Sequence, residues 1–211
     1  MENILIIGAH YDDAELGAGG TAAKLVSEGK KVYKLTLTDN VTKSSHLHIN
    51  VAYETSVRES ALACKVLGIH EISEFEPVEC CHLFYNTEIM QRVEDVIYKY
   101  KIDTVFMHYT HDMNQDHISA SKICLTAARH CENVFLYQSN LYTLPKPFAP
   151  SFFVDVSDFI EKKREALYQY TGDHNRFNSL FETNIERNHV WGYSNNVEYA
   201  EGFVVQKCLV K

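Results

Sequence analysis

The chain has 211 residues, 45% of them apolar and 23% charged, with a net charge of −8. That length suffices for one sizeable core, and the acidic balance, with no basic block against it, argues against nucleic acid or an anionic membrane surface as a partner. No apolar run approaches the ~20 residues of a membrane helix, and Met1-Glu2-Asn3 lacks a signal peptide's basic start, so the expected compartment is the cytoplasm.

The predicted elements alternate. Asn3 to Ala9 carries the run Ile4-Leu5-Ile6-Ile7, of the length and branching of a buried strand. It ends at Gly8-Ala9, and His10-Tyr11-Asp12-Asp13 follows at once. A glycine-rich stretch, Gly17 to Gly20, leads into a helix over Thr21 to Glu28 with Gly29 as its stop. Lys31 to Thr38 alternates as a second strand, and strand, helix, strand at this spacing is a right-handed βαβ unit. Asp39 to Asn50 reads as a loop, and its His46-Leu47-His48 as a solvated or lid-like tip. Helices are expected over Ala52 to Leu67, Thr87 to Tyr100 and Ile118 to His130, with strands over Glu71 to Phe75, Asp103 to His108 and Val134 to Gln138. Phe152 to Val156 reads as a strand, Ser157 to Thr171 as a capped helix, and Gly202 to Lys207 as a final strand. The rest of the last forty residues gives no clear pattern. No repeat or linker divides the chain, so residues 1–211 are expected to form a single Rossmann-like α/β domain of three layers with a mostly parallel sheet.

In such folds ligands bind beyond the carboxyl ends of the strands. Two of those ends are rich in chemistry. The first is His10 to Asp13. The second is His108 to His117, HYTHDMNQDH, with three histidines and two aspartates in ten residues. Nitrogen and oxygen donors without thiolate suit a catalytic zinc with three protein ligands and an open position, although another first-row divalent ion takes the same donors. The six cysteines include no C-x-x-C pair and read as reduced thiols without a catalytic role. A nucleotide loop is excluded, because Gly17-Ala18-Gly19-Gly20 comes too late after the strand and lacks a lysine.

His10-Tyr11-Asp12-Asp13-Ala14-Glu15-Leu16-Gly17 resembles the A-H-P-D-D-x-E signature of the PIG-L (LmbE-like) zinc-dependent N-deacetylases. Asn114-Gln115-Asp116-His117 is similar to that family's second motif, H-P-D-H, and the resemblance extends over nearly the whole chain. It implies that His10, Asp13 and His117 hold Zn2+ and that Asp12 is the general base. It also implies a substrate that is an N-acetylated amino sugar, or a glycoside or nucleotide carrying one. Arg58 is expected to reach that substrate, and His111 to line the pocket. Two departures stand out. Tyr11 takes the place of a proline, and Asn114 takes the place of a histidine thought to hold the oxyanion as a cation. Asparagine supplies a neutral hydrogen bond there, unless His108 or His111 fills the role. The alternatives are a metal amidohydrolase of the same fold acting on a non-sugar amide, and a catalytically weakened sugar-binding protein. Oligomeric state stays open, a homo-oligomer included.

Overall fold

The computed structural model describes residues 1–44, 49–171 and 180–210. His46, Leu47, His48 and His174 lie outside the described residues.

The chain order is β1 (Asn3–Gly8), α1 (Asp13–Ser27), β2 (Lys31–Thr36), β3 (Thr42–Ser44), β4 (Ile49–Val51), α2 (Tyr53–Leu67) and β5 (His70–Glu71). There follow α3 (Thr87–Lys99), β6 (Thr104–His108), α4 (Gln115–Ala127), β7 (Asn133–Tyr137), β8 (Phe152–Asp155), α5 (Ile160–Leu167), α6 (Glu182–Ser194) and β9 (Ala200–Lys207). A seven-stranded sheet has the order β5-β2-β1-β6-β7-β9-β8. The five strands from β5 to β7 pair in parallel, while β9 runs antiparallel to both β7 and β8. The alternation of β1 explains the layers. Leu5 and Ile7 join Val105, Met107, Val93 and Ile123 on one face, and Ile4 and Ile6 join Leu16, Phe106, Phe135 and Leu167 on the other. Helices α3 and α4 cover the first face, and α1, α2 and α5 the second. The mostly parallel α/β architecture is therefore as the sequence indicates.

The chain winds outward from β1 through β2 to β5, then returns to the other side of β1 to build β6 and β7. Sheet order thus reverses between β1 and β6, which pair through Ile4↔Thr104 and Ile6↔Phe106. Both motif-bearing strand ends open into the crevice at that switch point.

Four expectations are corrected. Asp39 to Asn50 is not all loop, because β3 and β4 form a short antiparallel ladder, Thr42↔Val51 to Ser44↔Ile49. The strand expected over Glu71 to Phe75 is confined to His70–Glu71, and Ser157 to Thr171 splits into a 3-10 turn and α5. Most consequential is α1, which starts at Asp13 and so takes in the glycine run expected to precede it. It does so by breaking. Ala18 has φ −149° and ψ 22°, outside helical geometry. Glycine is needed on either side of this break for close approach. A Cβ on Gly17 would lie 2.2 Å from the Tyr137 ring, and one on Gly20 would lie 2.9 Å from Val156.

The backbone groups freed at the break are met by a buried ion pair. Lys163 of α5 donates from Nζ to the Leu16 carbonyl (2.9 Å), and Glu201 of β9 accepts from the N–H groups of Gly20 (3.0 Å) and Thr21 (2.7 Å). The two side chains meet at 2.7 Å, fully buried. One thus caps the end of the first helical piece, and the other caps the start of the second.

Candidate metal centre

His10 stands in the turn after β1, Asp13 opens α1, and His117 lies in the first turn of α4. Asn114 sets that first turn. Its Oδ1 accepts from the backbone N–H of Asp116 (2.8 Å) and, at 3.4 Å, of His117, so α4 begins three residues before the Ile118 start expected.

One donor atom from each of His10, Asp13 and His117 lies within 4.8 Å of the others. His10 Nδ1 is 3.1 Å from His117 Nε2 and 3.4 Å from Asp13 Oδ2, while His117 Nε2 is 3.3 Å from Asp13 Oδ1. A tetrahedral zinc with ligands at about 2.0–2.1 Å separates them by about 3.3 Å, so these spacings fit that ion. The outer nitrogens add to the fit. His10 Nε2 is 3.1 Å from Asp116 Oδ2, and His117 Nδ1 is 3.1 Å from Asp112 Oδ2. Each carboxylate holds the ring proton on the far side, which turns the lone pairs of the inner nitrogens toward each other and toward Asp13. Two lone pairs and a carboxylate at this range require a cation between them.

Without a metal, that cation is a proton. Burial disfavours charge on His117, but Asp13 and the bond to Asp112 outweigh it and push its pKa up to about 9. Burial also opposes charge on His10, yet Asp116 and Asp13 hold its pKa well above the ordinary value. Burial would raise Asp13, and His117 above all, then His108 and His10, keep it well below the carboxylate range. His108 differs: burial, with the charge of His117 beside it, lowers its pKa. It stacks on His117 at 3.9 Å between ring centroids and lies behind Asp13, fully buried.

The loop carrying these groups is fixed from below. Lys34 of β2, fully buried, places Nζ 2.8 Å from Glu15 Oε1, 2.8 Å from Ser60 Oγ and 2.9 Å from Tyr170 Oη. It also donates to the Tyr11 carbonyl at 2.5 Å, and Tyr170 Oη donates to the same oxygen at 2.6 Å. Burial opposes the ammonium, but Glu15 holds its pKa well above the usual lysine value. Tyr11 therefore lacks a proline's fixed φ but has its carbonyl gripped by two donors, between His10 and Asp12.

Above the metal residues opens a cleft of about 290 Å3, lined by His10, Asp12, Asn40, Thr42, Cys80, Asn114, Asn140 and Tyr142 among others. Asp12 and Asn114 are thus brought to the three candidate metal residues. Arg58 and His111 are not. Arg58 is exposed on α2, and His111 is exposed beyond β6 with Thr110 Oγ1 at 2.9 Å, and neither lines the cleft. His108 does not line it either. Asp112, Asp116, Lys34, Asn140 and Tyr142 were given no part by the sequence. Two of these, Asp112 and Asp116, carried a signal, since they are carboxylates a few residues before the second motif's histidine.

The family model of the GlcNAc-PI de-N-acetylases, PIG-L, matches residues 5–128. The chain is 28% identical over 163 residues to an uncharacterized deacetylase, YaiS, of Escherichia coli, covering 74% of this chain and 83% of that one. It is 26% identical over 186 residues to the diacetylchitobiose deacetylase of Thermococcus kodakarensis, covering 79% and 68%. In three dimensions it superposes on the conserved protein TT1542 of Thermus thermophilus with a TM-score of 0.84 at 25% identity, over 100% of this chain and 97% of the other.

Proposed function

The chain belongs to the PIG-L family, and from that premise we propose that it removes the N-acetyl group of an amino sugar, carried as a free sugar, glycoside or nucleotide. The observation that carries this reading is the convergence of His10 Nδ1, Asp13 and His117 Nε2 beneath a cleft that Asp12 also lines. The diacetylchitobiose deacetylase among its relatives supports the choice of amide.

In this mechanism His10, Asp13 and His117 hold Zn2+ or another first-row divalent ion, with Asp112 and Asp116 keeping the two imidazoles in the right tautomer. Such an ion supplies Lewis acidity, bringing the pKa of a water to about 7 and polarising the acetamide carbonyl. Asp12 accepts the proton of the attacking water and returns it to the leaving amine. Asn114, whose Oδ1 is committed to α4, has its amide N–H groups left to stabilise the oxyanion, a neutral donor in place of a cation. Charge-assisted hydrogen bonds are about twice as strong as neutral ones, so the oxyanion is held less firmly than a cation would hold it. Acetate release from N,N'-diacetylchitobiose and N-acetylglucosamine derivatives, measured on metal-loaded protein, tests the reading. Full metal occupancy without acetate release from any of them would refute it.

A further inference from the structure

Cys80 and Cys81 interrupt an otherwise oxygen- and nitrogen-lined cleft wall, and the mechanism uses neither. Cys80 Sγ, Asp116 Oδ2 and the outer nitrogen of His10, Nε2, lie within 4.8 Å of one another. We propose that these three atoms form a second cation position, selective for thiophilic ions, which draws on the same imidazole as the inner metal set and so opposes it.

The spacings suit such an ion. His10 Nε2 to Asp116 Oδ2 is 3.1 Å, and Cys80 Sγ to Asp116 Oδ2 is 3.8 Å. A tetrahedral ion with sulfur at about 2.3 Å and nitrogen or oxygen at about 2.0–2.1 Å separates N from O by about 3.3 Å and S from O by about 3.6 Å. Asp116 is wholly buried; its Oδ2 also accepts from the Cys81 backbone N–H (2.8 Å), which fixes the carboxylate, while its Oδ1 is without a hydrogen-bond partner and has capacity to spare. Cys80 and His10 both line the cleft, which gives an ion its way in. The inner triad contains no sulfur. A soft thiolate ligand shifts preference toward zinc or cadmium and away from magnesium or calcium.

Occupation of this position displaces two protons to solvent, one from the Cys80 thiol and one from His10 Nε2, with no change of oxidation state. It also takes Asp116 away from the N–H that fixes His10 toward the inner site. With both ring nitrogens coordinated, His10 would be an imidazolate shared by two cations, and their repulsion, together with the loss of Asp116's hold on the ring, weakens the inner position. An excess of a thiophilic ion therefore inhibits. Only this consequence for activity rests on the proposed deacetylation; the binding does not.

Cadmium titration of the full chain reads the site directly, because sulfur-to-cadmium charge transfer adds absorption in the middle ultraviolet and the inner triad, without sulfur, adds none. Wild type should show this absorption saturating at one thiolate site. Cys80→Ser should lose it and Cys81→Ser should keep it, with thermal melting confirming that both variants are folded. Cys80→Ala is a second variant with the same expectation. Asp116→Asn should weaken the cadmium binding at least tenfold while leaving the count of free thiols unchanged. If deacetylation is found, Cys80→Ser should need at least tenfold more cadmium for half-inhibition. Absorption that survives both Cys80 variants, or that never appears in wild type, overturns the site. Absence of deacetylation in every variant would instead refute the proposed function and leave the absorption result standing.

Discussion

His10 and His117 point their inner nitrogens at each other across 3.1 Å, and each has a carboxylate on its outer nitrogen. The pair is built for a cation, and the identity of that cation depends on pH. Metal must displace the proton that Asp13 and Asp112 hold on His117, whose pKa is pushed up to about 9. Below that value each pH unit should raise apparent metal affinity at least tenfold, levelling off only once both imidazoles are neutral, because each ligand has to be deprotonated before it binds and His10 too is held protonated above its ordinary range. Zinc titrations in metal-buffered solution at several pH values check this. A flat profile between neutrality and the plateau would mean that His117 is already neutral in the metal-free chain.

The carboxylates behind the histidines should matter nearly as much as the histidines. Asp112→Asn should lower metal affinity by about 10–100-fold, the usual cost of losing such an orienting group. His117→Ala should go further and leave the protein substoichiometric in metal after dialysis. Full retention of metal by His117→Ala would remove that residue from the ligand set.

Asp12 and Asp13 are adjacent, and the proposed mechanism gives them different work. Asp12→Ala is expected to reduce kcat by roughly 10²–10⁴, the contribution of a positioned general base, with metal content unchanged. Asp13→Ala should lose the metal itself. Elemental analysis of both variants separates base from ligand, and metal loss from Asp12→Ala would sink the distinction.

Asn114 caps α4 and, in the proposed mechanism, also serves the oxyanion, and substitutions can pull the two roles apart. Asn114→Asp keeps an N-cap acceptor and loses the amide donor, so melting temperature should hold while kcat falls. Asn114→His gives up the better cap at a cost of about 1 kcal/mol, or roughly 2–4 °C at this chain length, yet should keep or raise kcat if the position serves the oxyanion. A collapse of kcat in Asn114→His would show that the cleft has been fitted to the amide.

Lys34 should prove as important to activity as to stability. Removing one partner of a buried ion pair costs about 3–5 kcal/mol, so Lys34→Ala should melt many degrees lower. Lys34→Met combined with Glu15→Leu leaves no buried charge and should recover much of that stability. It still leaves the Tyr11 carbonyl short of one donor, so kcat should stay depressed. Full recovery of both properties would reduce Lys34 to a purely structural role.

The sequence made the centre of the site readable because its parts are local. His10 and Asp13 follow directly on an unmistakable buried strand, and His117 follows a second strand by a short loop. What it concealed is what arrives from a distance or in disguise. Lys34 sits in an alternating strand, where a lysine normally faces water, and only packing by α2 and the segment after α5 buries it. The start of α1 was misplaced because glycines discourage a helix, and the ion pair that offsets this comes from α5 and β9. Arg58 was expected to reach the substrate, but it stands on the exposed side of α2 and does not line the cleft.

The pair at the Ala18 break sets a condition on how the molecule can be made. The bonds from Gly20 and Thr21 to Glu201 span 181 and 180 residues of sequence. A ribosome therefore delivers the turn bearing His10, Asp12 and Asp13 long before the carboxylate that completes the helix after it. Contacts of such separation form late, since a long loop must close before they give any return. Until β9 is made, the nascent segment carries Asp13 on a broken helix whose second piece lacks its cap. Completion of that helix thus waits for synthesis to reach β9.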